Sequence, residues 1–166
     1  MTRTVVCDTG PLIHLSEAQA IYLLRAAGDI LIPPAVATEL KGNLSKWKLP
    51  DWIQIQPLDM QSNAQAKTWI QNHLVDPGEA EAIGLALQKQ SDWLLTDDAK
   101  ARQFAEGLGL EAHGSIGLLL WAIASGHLES REQAYHRLDG LKHSSLWISE
   151  RVLHQAAEAI DQLTSQ

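Results

Sequence analysis

The stretch Thr4-Val5-Val6-Cys7-Asp8-Thr9-Gly10-Pro11-Leu12 decides how the rest of the chain is read. Thr4 to Cys7 is a short β-branched run, which favours a strand, and it stops abruptly at Asp8-Thr9-Gly10-Pro11, a turn signal. Pro11 suits the first turn of a helix, where its fixed φ fits and its missing N–H is not needed. One helix, or two short ones, is expected over residues 12–27, with Gly28 as the C-terminal cap.

The same alternation recurs outward from this unit. Ile30-Leu31-Ile32 is a fully apolar strand stopped by Pro33-Pro34, and a short helix follows over 35–41. Residues 42–51 read as a loop and 52–56 as an edge strand. A helix is expected over 64–74. Asp76-Pro77-Gly78 breaks it and prepares the alanine-rich helix 79–89. Trp93-Leu94-Leu95 reads as a short buried strand, and Asp97 or Asp98 caps a helix that runs to about Glu106. A last short strand falls at 110–113, and helices are expected at 115–125, 130–138 and 149–163. Short apolar strands alternating with helices imply a parallel sheet covered on both faces, followed by an all-helical C-terminal third. In such sheets the functional crevice lies beyond the carboxyl ends of the strands.

That rule draws attention to the carboxylates. Asp8 follows the first strand directly, and Asp97 and Asp98 follow the strand that ends near Thr96. If these strands are parallel neighbours, all three acids reach one end of the sheet. Glu39 lies about a helical turn past the second strand, and Glu79 opens the helix before the Asp97 strand. Carboxylates within about 4–6 Å of one another repel and need a counter-charge. A hard cation such as Mg²⁺ or Mn²⁺ supplies it through oxygen ligands, and one or two such ions can drive phosphodiester cleavage. Each acid also has an ordinary explanation. Asp8 can start an Asx turn, Glu39 can be a solvated charge, Glu79 suits the helix macrodipole, and Asp97 with Asp98 can be an N-cap pair. Their joint placement at strand ends is what separates them from that background.

Four segments, in order, carry a resemblance. Val5-Val6-Cys7-Asp8-Thr9-Gly10-Pro11-Leu12-Ile13 resembles the opening motif of the PIN domain (PilT N-terminus) nucleases. Pro33-x-x-Val36-x-x-Glu39-Leu40 resembles their second acidic motif. Gly78-Glu79-Ala80-Glu81-Ala82-Ile83-Gly84-Leu85-Ala86 resembles the third, and Leu94-Leu95-Thr96-Asp97-Asp98-x-x-Ala101-Arg102 the fourth. The similarity spans roughly residues 4 to 125 and is nearest to the small prokaryotic, toxin-like members with the Gly-Glu-Ala pattern. It implies a three-layer α/β/α sandwich with a central parallel sheet. The expected organisation is a single domain over 1–166, with a core of about 4–125 and a helical segment of about 126–166. It also implies a Mg²⁺- or Mn²⁺-dependent endoribonuclease acting on RNA, in many relatives the toxin of a toxin–antitoxin pair. An antitoxin protein and a second copy in a homodimer are then the expected partners.

Carried over by position, Asp8, Glu39, Glu79 and the Asp97/Asp98 pair become the catalytic and metal-binding set. Thr9 and Thr96 become supporting hydroxyls. Many PIN nucleases have Asp where Glu79 stands, so ligand reach differs here by a methylene. Helix geometry separates Glu79 from Glu81: two residues apart is about 200°, so both cannot face one site, and Glu79 is favoured by its place in the first turn. Asp97 is favoured over Asp98 as the strand-tip ligand, with Asp98 close behind.

Composition frames these expectations. The 166 residues carry 13 Lys and Arg against 20 Asp and Glu, a net charge of −7, which excludes binding of nucleic acid or membrane by bulk positive charge. Local basic groups remain as candidate substrate contacts: Lys41, Lys46 and Lys48 around Trp47, and Lys100 and Arg102 just past the Asp97/Asp98 pair. A single cysteine, Cys7, rules out an intrachain disulfide and a cysteine-based zinc site. The seven histidines form no metal-binding pattern, and His14 is expected to pack or face solvent. Trp52 and Trp147 are expected to pack a partner or a second subunit. No nucleotide-binding glycine loop or Gly-x-Ser-x-Gly elbow occurs. The acidic N-terminus does not read as a secretory signal. The longest apolar run, 116–124, is far short of the ~20 residues of a membrane span, so the expected address is the cytoplasm. The alternative to an enzyme is a non-catalytic PIN-like module acting through partner proteins. A receiver or aspartate phosphatase fits poorly, because Gly10 stands where a phosphatase needs its second Asp.

Overall fold

The computed structural model describes residues 2–43 and 48–165. Five strands form one all-parallel sheet: β1 (Thr4–Cys7), β2 (Asp29–Ile32), β3 (Ile53–Ile55), β4 (Trp93–Leu95) and β5 (Ala112–His113). Their order is β3-β2-β1-β4-β5. Nine helices accompany them among the described residues. These are α1 (Thr9–Glu17), α2 (Tyr22–Ala27), α3 (Pro34–Asn43), α4 (Met60–Gln71), α5 (Pro77–Lys89), α6 (Ala99–Gly107), α7 (Ser115–Ala124), α8 (Arg131–Lys142) and α9 (Glu150–Thr164). The expected α/β/α sandwich is the observed architecture. No helix among the described residues is long and apolar enough to cross a membrane.

The strands explain the layering. Successive side chains of a strand point to opposite faces, and here both faces are apolar. Val5, Cys7, Ile30, Ile32, Trp93 and Leu95 join one core with Leu12, Leu24, Leu119 and Ile160. Val6, Leu31 and Leu94 join the other, with Ala66, Trp69, Ala80, Ile83 and Ala105. The first layer is thick and leucine-rich, built from α1, α2, α3, α7, α8 and α9. The second is thin and alanine-rich, built from α4, α5 and α6.

The strand order sets where a site can form. From β1 the chain moves outward to β2 and β3, then crosses back to β4 on the other side. The carboxyl ends of β1 and β4 therefore flank the point where the winding reverses, the place where crevices open in such sheets. Asp8 N–H donates to the Leu95 carbonyl at 2.8 Å, which continues the β1–β4 pairing right up to that point.

Three helix starts, those of α1, α4 and α5, lie earlier than the sequence expectation because each begins at an aspartate cap. Asp8 is the N-cap of α1, so the helix starts at Thr9 rather than near residue 12. Asp59 caps α4 by accepting from Ser62 N–H at 2.7 Å, so α4 starts at Met60 rather than at 64. Asp76 caps α5, and Pro77-Gly78, expected as a break, forms its first turn. A short polar side chain satisfies N–H groups that the first turn otherwise leaves unpaired.

Candidate active site

Asp8 sits at the tip of β1, almost fully buried at 7 % exposure. Its Oδ1 accepts from Thr9 N–H at 2.8 Å, and its Oδ2 accepts from the Thr96 hydroxyl at 3.0 Å. Thr96 is the first residue past β4, so this bond ties the two strand tips across the switch point. The Thr9 hydroxyl donates to Glu39 Oε2. The two threonines proposed as supporting hydroxyls thus each orient one carboxylate.

Glu39 reaches the crevice from α3 and lies against Gly78 in the first turn of α5, where a Cβ would collide with its carboxylate. The absent Cβ leaves room for the Glu39 carboxylate at this place, and a larger residue would make that side chain move. Glu79 is the next residue. It closes a capping box with Asp76: Glu79 N–H donates to Asp76 Oδ1 at 2.8 Å, and Asp76 N–H donates to Glu79 Oε1 at 2.9 Å. Glu81 points elsewhere and accepts from Ala35 N–H at 3.1 Å, satisfying the start of α3. Glu79 and Glu81, about 200° apart on α5, thus leave the helix in different directions.

The two neighbouring aspartates after β4 have different surroundings. Asp97, favoured above as the strand-tip ligand, is enclosed by three donors. His14 Nδ1 lies 2.7 Å from its Oδ2, the Ser115 hydroxyl donates to the same oxygen at 2.6 Å, and Ser115 N–H donates to Oδ1 at 2.6 Å. This clasp joins β4 to α1 and α7. Asp98 is more exposed and caps α6 by accepting from Ala101 N–H at 2.8 Å through Oδ1. It also stands near enough to Glu79 to disfavour its ionised form.

Electrostatics mark the same group of acids. Burial pushes the Asp8 carboxyl up to about 6, outweighing the hydrogen bonds from Thr9 and Thr96, and the charges of Asp76 and Glu39 add to the rise. Burial pushes Glu79 up to about 8, with Asp76, Asp98 and Asp8 contributing repulsion. Burial also acts upward on Asp97, but the hydrogen bonds from His14 and Ser115 outweigh it and hold its carboxyl below the usual range. Raised pKa values from burial and like charge are common at functional sites. Cys7, fully buried beside Asp8, has its thiol pushed well above the ordinary value by burial, so it is inert at neutral pH.

The side chains do not form a closed cage. Among the described residues, no three His, Cys, Asp or Glu groups are placed to hold one ion. The donor chemistry nevertheless fits a hard cation. Mg²⁺ keeps several waters and commonly takes only one or two carboxylates plus substrate phosphate oxygens.

Two contributors escaped the sequence reading. Asp76 was seen only as part of a helix break, although Asp76-x-x-Glu79 is the spacing of a capping box. His14 was expected to pack or face solvent, yet it is the partner of Asp97; a six-residue offset from Asp8 carries no signal for that contact. Among the basic candidates, Lys41, Lys48 and Lys100 are exposed. Arg102 is half-buried and donates to the Thr96 carbonyl at 3.0 Å. Lys46 lies outside the described residues. Trp52 packs against the thick core, whereas Trp147 is exposed.

No curated protein matches the chain. A family model described as a PIN domain matches residues 4–162, which takes in every strand and all four acidic segments. On that match, the chain belongs to the PIN-domain family.

Proposed function

We propose that this PIN-domain protein is a Mg²⁺- or Mn²⁺-dependent endoribonuclease whose acidic set is Asp8, Glu39, Glu79 and Asp98, with Asp97 as a positioning residue. PIN domains are generally nucleases that use divalent metals and act on RNA. The observation that carries the reading for this chain is buried Asp8 at the β1–β4 switch point, held by Thr9 and Thr96, with Glu79 lining the same small cavity and Glu39 tied to Thr9 beside it.

A bound divalent cation supplies Lewis acidity for water activation and for the departing oxygen. The chain's own residues prepare its place. Thr96 and Thr9 fix the plane of the Asp8 carboxylate, and each carboxylate oxygen can accept more than one contact. Thr9 orients Glu39. Glu79 Oε2 and Asp98 Oδ2 accept no hydrogen bond among the described residues, so both are available to a cation or its waters. Asp97 has both oxygens engaged and instead fixes the backbone on which Asp98 is carried.

Cleavage of a single-stranded RNA by purified protein should require Mn²⁺ or Mg²⁺ and stop in EDTA. Asp8→Asn should lower the rate about a thousandfold or more. Asp98→Asn should lose more activity than Asp97→Asn, for which about 10–100-fold is expected of a group that orients a ligand. Cleavage by Asp8→Asn at the wild-type rate would point to a contaminating nuclease and end the assignment.

One observation favours a second reading, a non-catalytic PIN-like interaction module: no three acidic or imidazole groups among the described residues are placed around one point. Calorimetry with Mn²⁺ on the wild type and on Glu79→Gln separates the two. Heat in the wild type that is reduced in the variant supports the enzyme, and no heat in either supports the module.

A further inference from the structure

A groove of about 360 Å³ shares Asp97 with the segment that follows β4. Its lining includes Asp97, Arg102, Ile116, Trp147, Ile148 and Val152. Two roomier hollows, of about 530 and 580 Å³, lie away from the acids, one between α2 and α8 and one at the amino ends of β1 and β2. The smaller groove is the one that follows the carboxyl ends of β4 and β5.

We propose that this groove is a subsite for one base of a single-stranded RNA, with Trp147 as its stacking platform. The proposal rests on the ribonuclease reading above and names the substrate contact next to that site.

Three observations select this occupant. Trp147 is 85 % exposed, an unusual placement for the largest apolar side chain. Among the described residues no other ring and no guanidinium lies against it, so a face of the indole is open to a flat partner. The polar groups leave the ring as the main contact: Arg102 is the single cation lining the groove and balances Asp97, whose two oxygens are already answered by His14 and Ser115. The volume sits at the small end of the ~300–1,000 Å³ range of small-ligand sites, room for a base rather than for several turns of a partner helix. A base stacked on Trp147 would lie in a groove that shares Asp97 and Arg102 with the segment following β4. Base–aromatic stacking tolerates any sequence, because every base offers a π-face.

The test uses a fluorescein-labelled single-stranded oligoribonucleotide and the full chain carrying Asp8→Asn, which blocks turnover, with anisotropy as the readout. Adding Trp147→Ala should weaken binding by about five- to a hundredfold, and Trp147→Phe should restore most of it. Val152→Glu, in the groove lining, should weaken binding without touching the ring. Far-ultraviolet circular dichroism and thermal melts should match across the set, since both positions are exposed. Cleavage by the chain without Asp8→Asn is read separately, so the two ideas fail independently. Loss of RNA affinity in Trp147→Ala supports the subsite whatever the cleavage result. Active cleavage with an unchanged KM in Trp147→Ala overturns the subsite and leaves the nuclease reading standing. Unchanged RNA affinity with a shift from dimer to monomer would assign the ring to a protein contact, and it also overturns the proposal.

Discussion

The two faces of the sheet solve different problems. The thick layer fills space with Leu12, Leu15, Leu23, Leu24, Leu118 and Leu119, all fully buried. The thin layer is dominated by Ala66, Ala80, Ala82, Ala86 and Ala105, with Gly78 and Gly84 buried among them. Large side chains gain the most from burial, so the thick layer holds the fold together. Small ones let backbones approach, so the thin layer brings α5 close enough for Glu79 to stand beside Asp8 and for Gly78 to lie against Glu39. Stability and site geometry are thus assigned to opposite sides of one sheet.

The comparison breaks most visibly on the thick side. Leu24→Ala leaves a cavity in the larger core and should cost about 3–5 kcal/mol, read from urea unfolding, while the folded fraction keeps its metal response. Gly78→Ala on the thin side should cost less, about 1–3 kcal/mol, because the Glu39 carboxylate must give way. It should nevertheless abolish any metal-dependent activity. Equal losses of stability and activity in both variants would erase the distinction between the layers.

Acidity offers a finer probe. Asp8 is raised to about 6 and Glu79 to about 8, so the folded chain holds protons that the unfolded chain has already released. Their contribution to stability is full below about pH 4 and is lost as pH rises through 6 and then 8. In EDTA the protein should therefore be more stable at pH 5 than at pH 8. Asp97, whose carboxyl is lowered, acts only at the acid end, where its contribution is lost as pH falls below the usual carboxylate range. Asp8→Asn should flatten the slope between pH 5 and 7 and stabilise the metal-free protein at pH 8 by about 1–2 kcal/mol. A flat profile in the wild type would remove the electrostatic argument for the site. The smallest effect is expected at Asp59→Ala, which removes the α4 cap for about 1 kcal/mol and should leave activity alone.

The legible part of the molecule was the part written in local chemistry. β1, β2 and β4 announce themselves as short apolar runs ended by Asp, Pro or Thr-Asp, and the parallel β1–β4 pairing then brings Asp8 and Thr96-Asp97-Asp98 to one edge of the sheet. What sequence could not supply was side-chain direction. Adjacent aspartates at 97 and 98 look alike on the page, and only the positions of His14 and Ser115, 83 and 18 residues away in the chain, tell them apart. Asp76 was hidden for a different reason. Pro77 and Gly78 mimic a helix break, while Pro is well accepted in a first helical turn and Gly78 leaves room for the Glu39 carboxylate.

The bond from Ala35 N–H to Glu81 has a dynamic consequence. It anchors the first turn of α3 on α5, and Gly78 lies against the Glu39 carboxylate a short way along the same contact. The two helices are therefore coupled, and a fluctuation that lifts α5 uncaps α3 and carries Glu79 away from Asp8 in the same event. Amide hydrogen exchange should find α3 and α5 opening as one cooperative unit, at a free energy below that of the leucine-rich layer. In this chain the geometry of the candidate site would then come apart while most of the sheet stays folded.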